Sequence, residues 1–250
     1  MEQFRKFTEK MLVEIPKMLE ILKLETIEKV NDIIIAVQDQ SQIPDLLNFH
    51  VLFVCFLWIA IMMIGFITGE FVGTQLLGDI LPYICDDSSA IVLNFILIPL
   101  FLYRQLDTIP EESRQSHSLL LAFAIIQGLL SGLILRNHLV ILLAPLHLAN
   151  IIYIAVISRI IGHKLNNDRQ AYYGIISGIA FVIFSLSALI MGTMCTGFAL
   201  NTLFAVFTSH VVIQVYMHRV SQSNLKPSYI QLAMLNSSIY AQAFVGYLCT

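Results

Sequence analysis

The chain has 250 residues, of which 57% are hydrophobic and 12% are charged, and its mean hydropathy is +0.78. Soluble domains carry about 25% charged residues, so this composition excludes an ordinary soluble domain and indicates one integral membrane domain. The formal net charge of −3 provides no basic field for nucleic acid. The widely scattered cysteines match neither a zinc site nor a disulfide framework (Cys55, Cys85, Cys195 and Cys249).

Residues 1–47 form a charged segment with apolar residues at helical spacing. Leu12, Ile15, Leu19 and Leu22 recur every three or four positions among Lys and Glu. This pattern predicts a cytosolic amphipathic segment that lies on a membrane surface or packs on the bundle, with a solvated tail as the alternative. The spacing favours the surface helix, and we expect no secretory signal peptide.

Seven apolar stretches follow in residues 48–250, which we predict to be a transmembrane domain. A helix needs roughly 20 apolar residues to cross the bilayer core. The predicted spans are 51–69, 88–103, 118–135, 139–161, 171–191, 197–216 and 229–249. Residues 70–87 are acidic and contain glycine and proline, so they are predicted to be a loop or a short surface element. The predicted fold is an all-α integral membrane protein, a bundle of seven transmembrane helices.

The positions of Lys and Arg test this number of spans independently. Every basic residue except Arg136 falls in the N-terminal segment or in an even-numbered loop. Such a bias is typical of cytosolic loops, so the N-terminus is predicted to lie in the cytosol and the C-terminus outside or in a lumen.

Two pairs of glycines occur at four-residue spacing inside the predicted spans. Gly128 and Gly132 lie in the third span, and Gly174 and Gly178 lie in the fifth. Small residues at this spacing predict close contact between transmembrane helices. A glycine hinge is the alternative.

Polar side chains also recur within the spans, where they are costly and often functional. His147 and Asn150 are three apart and share a helix face, as do His210 and Gln214, which are four apart. Together with Asn236 in the last span, they are the candidates for lining a polar cavity. Hydrogen bonding that holds the helices together is the alternative.

No catalytic arrangement is visible, so we expect a protein that is not an enzyme and that has no catalytic, cofactor or metal site. Four carboxylates in the first predicted loop are of the kind that binds calcium, but their spacing matches no calcium-binding loop. A solvated acidic loop is favoured for these residues (Glu70, Asp79, Asp86 and Asp87).

The layout of helices and three segments of the chain resemble the Bax inhibitor-1 family of transmembrane Bax inhibitor motif proteins. The segments are SLLLAFAIIQGLLSGLILR, NHLVILLAPLHLANIIYIAVISRIIGHK and AYYGIISGIAFVIFSLSALI. The resemblance implies a seven-helix fold of the Bax inhibitor type in the endoplasmic reticulum or another endomembrane, with a lumenal C-terminus. It implies modulation of cell death (apoptosis regulation) and of calcium homeostasis. The implied partners are the lipid bilayer, membrane proteins of the cell-death or calcium-handling machinery, and calcium ions.

This chain departs from that family at its acidic positions. The family motif Phe-Asp-Thr-Gln corresponds to a segment in which Met217 replaces the aspartate, and the aspartates of the last helix fall near Asn236 and Tyr240. In the family, facing aspartates share a proton and close a calcium path, and such a pair is sensitive to pH. The chain is therefore expected to be a divergent member that has lost the pH gate. The alternative is a seven-helix transporter or receptor with a polar intramembrane cavity.

Overall fold

The computed structural model describes residues 27–39, 41–109, 114–135, 143–165, 168–222 and 226–248. These residues are helical or lie in turns and short connections, and none of them is in a strand. The chain divides into two compact units, Met1–Asp39 and Gln40–Thr250. Within the first unit, residues 27–38 form helix α1. The helix predicted around Leu12 to Leu22 lies outside the described residues.

The second unit consists of long and short helices, and three π-helical turns extend or join some of them. The helices are α2 (Phe49–Phe71), α3 (Leu81–Ile84), α4 (Asp87–Val92), α5 (Ile98–Thr108), α6 (Arg114–Ile134), α7 (Leu143–Ile161), α8 (Arg169–Tyr173), α9 (Ala180–Ile190), α10 (Thr196–Ser221) and α11 (Pro227–Leu248). The π-helical turn Val72–Leu76 extends α2, Leu93–Leu97 joins α4 to α5, and Gly174–Ile179 joins α8 to α9. The predicted all-α class is confirmed.

Six helical segments among the described residues are long and apolar enough to cross a membrane, by length and composition alone. They are Phe49–Leu76, Asp87–Thr108, Arg114–Ile134, Ala144–Lys164, Arg169–Ile190 and Thr196–Ser221. The seventh predicted span corresponds to α11, which has 22 residues but is not one of the six. Polar side chains such as Gln231, Asn236 and Gln242 lower the hydropathy of this helix below that of the six segments. The predicted number of seven spans is therefore not confirmed.

The prediction of a loop or short surface element for residues 70–87 is wrong for residues 70–76, which continue α2, whereas residues 77–86 consist of turns and the short helix α3. Helix α2 passes through Glu70 and continues through its π-helical turn, and two further helices, α3 and α4, begin before residue 88. Packing against α6 holds this end of α2 in a helix, although its composition favours a loop. Asp86 caps α4 by accepting hydrogen bonds from the Ser89 backbone N–H at 3.3 Å and from the Ser89 hydroxyl at 2.5 Å. The hydrogen bond from the Ser89 side chain lowers the pKa of Asp86.

Contacts between side chains establish the directions of the helices. Helix α2 runs parallel to α6, and α7 runs parallel to α10, whereas the α4–α5 segment runs antiparallel to α6 and to α11. The α8–α9 segment is antiparallel to both α7 and α10. The direction of α2 relative to α6 follows from the pairs Gly69–Ile125 and Gly73–Leu129, and that of α7 relative to α10 from His147–Asn201 and Asn150–Ser209. The direction of the α4–α5 segment follows from Asn94–Ser131 and Phe101–Phe123 for α6, and from Tyr103–Tyr229 and Phe95–Tyr240 for α11. The direction of the α8–α9 segment follows from Ser158–Tyr172 and Tyr153–Phe184 for α7, and from Arg169–Gln214 and Ser177–His210 for α10.

Alternation of direction gives the second unit two distinct ends. Every Lys and Arg that the structure describes in this unit lies at or near the end where α2 begins (Arg104, Arg114, Arg159, Lys164, Arg169, Arg219 and Lys226). The acidic residues Glu70, Asp79 and Asp86 lie towards the opposite end. The charge asymmetry of the sequence thus corresponds to an asymmetry along the bundle.

Glycines bring α2 and α6 into backbone contact. A Cβ added to Gly69 would lie 2.2 Å from the carbonyl oxygen of Ile125, and one added to Gly128 would lie 2.1 Å from that of Phe66. A Cβ on Gly132 would meet the carbonyl oxygen of Glu70 at 2.4 Å. Because these neighbours are backbone atoms, no side chain can move aside. The close contact predicted for Gly128 and Gly132 is confirmed.

The second glycine pair does not make such a contact. A Cβ added to Gly174 or Gly178 would meet nothing within 4 Å. These residues occupy the π-helical turn between α8 and α9 and face open space. Close packing between helices of this chain is therefore a wrong prediction for Gly174 and Gly178.

We predict that Gly128→Ala destabilises the bundle by about 1–3 kcal/mol, because the added methyl group forces α2 and α6 apart. Gly174→Ala is the matched control, and its effect should stay within about 1 kcal/mol because the site is open and helical. Thermal unfolding of both variants in the same detergent micelle measures the difference. Equal effects at the two positions would contradict the role of the α2–α6 contact.

Candidate functional site

One set of buried polar contacts joins α7 to α10. The imidazole Nε2 of His147 lies 3.0 Å from the side-chain oxygen of Asn201. The amide nitrogen of Asn150 donates to the hydroxyl of Ser209 at 2.6 Å and to the carbonyl oxygen of Ala205 at 3.0 Å. The four polar side chains are at most 2% exposed. The face shared by His147 and Asn150 therefore points at a neighbouring helix and is hydrogen-bonded to it.

A second set joins α6, α11 and the π-helical turn between α4 and α5. The side-chain nitrogen of Gln127 donates to the side-chain oxygen of Asn236 at 3.1 Å and to the backbone carbonyl of Asn94 at 3.3 Å. The side-chain nitrogen of Asn94 in turn donates to the hydroxyl of Ser131 at 2.9 Å. These contacts connect three separate segments of the chain near the middle of α6.

Pro99 explains why backbone carbonyls are available at this π-helical turn. A residue at position 99 would donate its N–H to Phe95 in an α-helix, or to Asn94 in a π-helix. Proline has no N–H, so neither carbonyl can receive a backbone donor from position 99. Gln127 supplies a donor to Asn94, and the Tyr240 hydroxyl donates to the Phe95 carbonyl at 2.8 Å. Side chains from two other helices thus donate to the two carbonyls that an N–H at position 99 could have reached.

A third set surrounds a buried guanidinium at the end of the bundle where α2 begins. Arg169 is only 4% exposed. One of its terminal nitrogens donates to the side-chain oxygen of Gln214 at 2.5 Å, and the other donates to the hydroxyl of Ser41 at 3.2 Å. Its Nε donates to the Tyr173 hydroxyl at 3.3 Å. Arg169 therefore ties the connection before α2 to both α8 and α10.

Tyr173 extends this set towards the centre of the bundle. Its hydroxyl donates to the sulfur of Met217 at 3.2 Å. Its ring packs against the imidazole of His210 with 4.7 Å between centroids. The His210 Nδ1 lies 3.2 Å from the hydroxyl of Ser177. His210 and Gln214 share a face of α10, as their spacing predicts, and both contact residues of the α8 region.

The predicted site residues all take part in contacts between helices, but they belong to separate sets. His147 and Asn150 contact α10, His210 and Gln214 contact the α8 region, and Asn236 contacts α6. That they line a common cavity stays a prediction. The sequence gives no signal that Arg169, Tyr173, Asn94 and Pro99 take part in these contacts. A basic residue such as Arg169 between two spans is typical of a cytosolic loop, and the other three are ordinary residues of a span.

Several buried polar atoms have no hydrogen-bond partner among the described residues. On α11 these are the side-chain oxygens of Gln231 and Ser238 and both polar atoms of Gln242. Their groups are amides and a hydroxyl, which bind uncharged polar groups by hydrogen bonding. The described residues contain no group of three or more His, Cys, Asp and Glu that could hold a metal ion. The atoms of α11 without a partner thus offer neutral hydrogen bonds.

The fold and its interior define a helical bundle that buries polar side chains and is apolar enough for a membrane. The model of one protein family, described as "Interactor of ZYG-11", matches residues 2–248. The chain therefore belongs to this family. No curated protein and no solved structure matches the chain.

Membership of this family corrects the resemblance to the Bax inhibitor-1 family, which is wrong. The match covers nearly the whole chain, including the segments on which that resemblance was based. The functions that the resemblance implied, cell-death regulation and calcium homeostasis, are therefore wrong as well. The alternative of a transporter or receptor is replaced too. The description of the family refers instead to interaction with a protein.

The supposed gate positions have other roles in the structure. Met217 accepts a hydrogen bond from Tyr173, Asn236 accepts one from Gln127, and Tyr240 donates to the carbonyl of Phe95. Each of the three is therefore occupied in holding neighbouring helices together. These contacts do not depend on a carboxylate at any of the three positions.

We predict that Gln127 and Asn236 are energetically coupled. Asn236→Leu should cost about 1–3 kcal/mol, because it removes the acceptor of a buried amide group. The double variant Gln127→Met/Asn236→Leu should cost less than the sum of the two single variants by about 0.6–1.7 kcal/mol. Unfolding in detergent of the four proteins of this cycle measures the coupling. Strictly additive effects would contradict a direct interaction.

Proposed function

We propose that the chain is a multi-pass membrane protein whose cytosolic segments bind a ZYG-11 protein. The observation that carries this proposal is the match to the family described as "Interactor of ZYG-11" over residues 2–248. That match includes the N-terminal segment as well as the bundle. The role proposed is binding and not catalysis.

The distribution of side chains in the bundle supports insertion into a membrane. Large apolar side chains are exposed along the outside of the helices, among them Leu57, Ile64, Ile96, Leu100, Ile125, Ile126, Ile152, Val156, Val182, Leu186, Leu203 and Phe207. Polar residues such as Asn94, Gln127 and Asn201 are completely buried. Soluble monomers rarely expose a continuous apolar surface of this kind, whereas a bilayer accommodates it.

Helix α11 is proposed as a seventh span in addition to the six apolar segments. It begins beside Tyr103, where Tyr229 packs on that ring with 5.3 Å between centroids. Towards its other end, Val245 belongs to the same apolar cluster as Ala90 and Leu133. Helix α11 thus runs from one end of the bundle to the other. Burial of its polar side chains against its neighbours accounts for a span of lower hydropathy.

The orientation proposed has the N-terminus and the basic end of the bundle in the cytosol. All Lys and Arg described in the second unit lie at or near that end, which matches the rule for cytosolic loops. The C-terminus then lies on the other side of the membrane. For the compartment we propose an endomembrane, with the endoplasmic reticulum as the first to test by cofractionation with its markers.

We predict opposite labelling of two exposed thiols in intact microsomes. In a background without the other cysteines, Cys195 before α10 should react with a membrane-impermeant maleimide only after permeabilisation. Ser221→Cys in place of Cys195 should react without permeabilisation, because it lies at the basic end of α10. Labelling is measured by gel shift. Reaction of Cys195 in sealed microsomes would overturn the proposed orientation.

We also predict saturable binding of purified ZYG-11 to the full-length protein in lipid nanodiscs, measured by biolayer interferometry. Empty nanodiscs and nanodiscs with an unrelated multi-pass protein are the controls. Binding equal to either control would overturn the proposed partner. Because orientation and binding are measured separately, failure of one leaves the result of the other intact.

A further inference from the structure

The hydroxyl of Ser177 is hydrogen-bonded differently from many other hydroxyls of the long helices. Those hydroxyls donate to the carbonyl oxygen four residues earlier in their own helix, as do Thr68, Ser158, Ser187, Thr202 and Ser209. The Oγ of Ser177 instead lies 3.2 Å from Nδ1 of His210 on another helix. The described residues give it no second hydrogen-bond partner. The hydrogen of this hydroxyl is therefore available to a base.

The backbone around Ser177 leaves its hydroxyl open to the outside of the bundle. Ser177 lies in the π-helical turn Gly174–Ile179, and such turns are frequent at functional sites. Gly174 and Gly178 flank it, and both are exposed. A Cβ added at either glycine would meet nothing within 4 Å. Ser177 and His210 are themselves half-buried. A reactant can therefore approach the pair from outside the bundle.

Neighbouring side chains hold the imidazole of His210 in its orientation. The ring of Tyr173 packs against it, with 4.7 Å between centroids. The Tyr173 ring is fixed in turn, because its hydroxyl donates to the sulfur of Met217 and accepts a hydrogen bond from Nε of Arg169. A nucleophile within hydrogen-bond distance of a base, with a third group that orients the base, is the arrangement that nucleophilic catalysis requires.

We propose that Ser177 and His210 form a nucleophile–base pair that reacts with acyl esters of membrane lipids. This activity departs from the expectation of a protein that is not an enzyme, and it belongs to a second site that does not depend on binding of ZYG-11. The two residues are 33 positions apart. No sequence motif therefore shows the pair, which forms only where the α8–α9 segment packs against α10.

The reaction needs only this pair, the ester and water. The Oγ of Ser177 forms a bond to the ester carbonyl carbon, and its proton passes to Nδ1 of His210. The bond from that carbon to the alcohol oxygen then breaks, and the alcohol leaves with the proton from His210. Water attacks the acyl-serine in the second half of the reaction, again with His210 as the base. This step releases the fatty acid and restores the Ser177 hydroxyl.

The position of Ser177 in the bundle indicates lipid as the source of the ester. Ser177 follows Arg169 by eight residues, so it lies about 12 Å along the α8–α9 segment from the basic end. The nearby Ile179 and Val182 are exposed apolar side chains. In the membrane proposed above, acyl chains of the cytosolic leaflet contact this face. The substrate class rests on that placement, whereas the reactivity of the pair does not.

Labelling of the detergent-solubilised protein with an alkyl fluorophosphonate tests the pair. The Oγ of Ser177 displaces fluoride from phosphorus as its proton passes to His210, and mass spectrometry locates the phosphonate ester. We expect His210→Gln, which retains a hydrogen-bond acceptor but lacks the base, to lower the labelling rate at least about a hundredfold. Ser187→Ala is the matched control and should leave the rate unchanged, because that hydroxyl donates to the carbonyl of Ile183.

Absence of the phosphonate from Ser177, or an equal rate in His210→Gln, overturns the pair and leaves a contact between helices only. Thermal unfolding in the same detergent verifies that the variants are folded. Nanodiscs of phosphatidylcholine with a fluorescent acyl chain test the substrate: wild-type protein should release fatty acid, and Ser177→Ala should not. Labelling of Ser177 without release overturns the lipid ester as substrate. Neither measurement involves ZYG-11, so each outcome is independent of the proposed function.

Discussion

The backbone contact between α2 and α6 is the constraint on which the bundle depends. Glycine at Gly69, Gly128 and Gly132 lets carbonyl oxygens of one helix approach the Cα atoms of the other. In a bilayer this packing contributes stability directly, since lipid provides no hydrophobic force between helices. The contact fixes the distance and direction of α2 and α6. The other side of α6 then presents Gln127 and Ser131 at the positions where the α4–α5 segment and α11 are bound.

Polar contacts specify which helices are neighbours once the glycine contact is made. The α7–α10 set, the set around Gln127 and the set around Arg169 each join different helices, and each requires a particular rotation of both partners. The bundle interior therefore resembles the interior of a soluble protein in its hydrogen bonding, while its outside does not. Arg169 adds a charged hydrogen-bonding centre that fixes the connection before α2 to α8 and α10.

The sequence predicted most of the helices because runs of about 20 apolar residues are longer than strands and are typical of helices. It failed at residues 70–76, where glycine and an acidic residue favour a loop in isolation but packing against α6 maintains a helix. It predicted close packing for Gly128 and Gly132 and equally for Gly174 and Gly178, because spacing does not reveal which face has a neighbour. The family was misjudged for a similar reason: small residues, short links and apolar helices are requirements of many helical bundles and identify none of them.

Pro99 has a consequence for the order in which the chain is completed during synthesis. The α4–α5 segment is made with two carbonyl oxygens whose donors come from residues made later, Gln127 on α6 and Tyr240 on α11. Until α11 is made, the Phe95 carbonyl is without the Tyr240 hydroxyl, and in the proposed membrane an unsatisfied carbonyl is costly. Helix α11 thus completes the hydrogen bonding of a segment that is synthesised well before it.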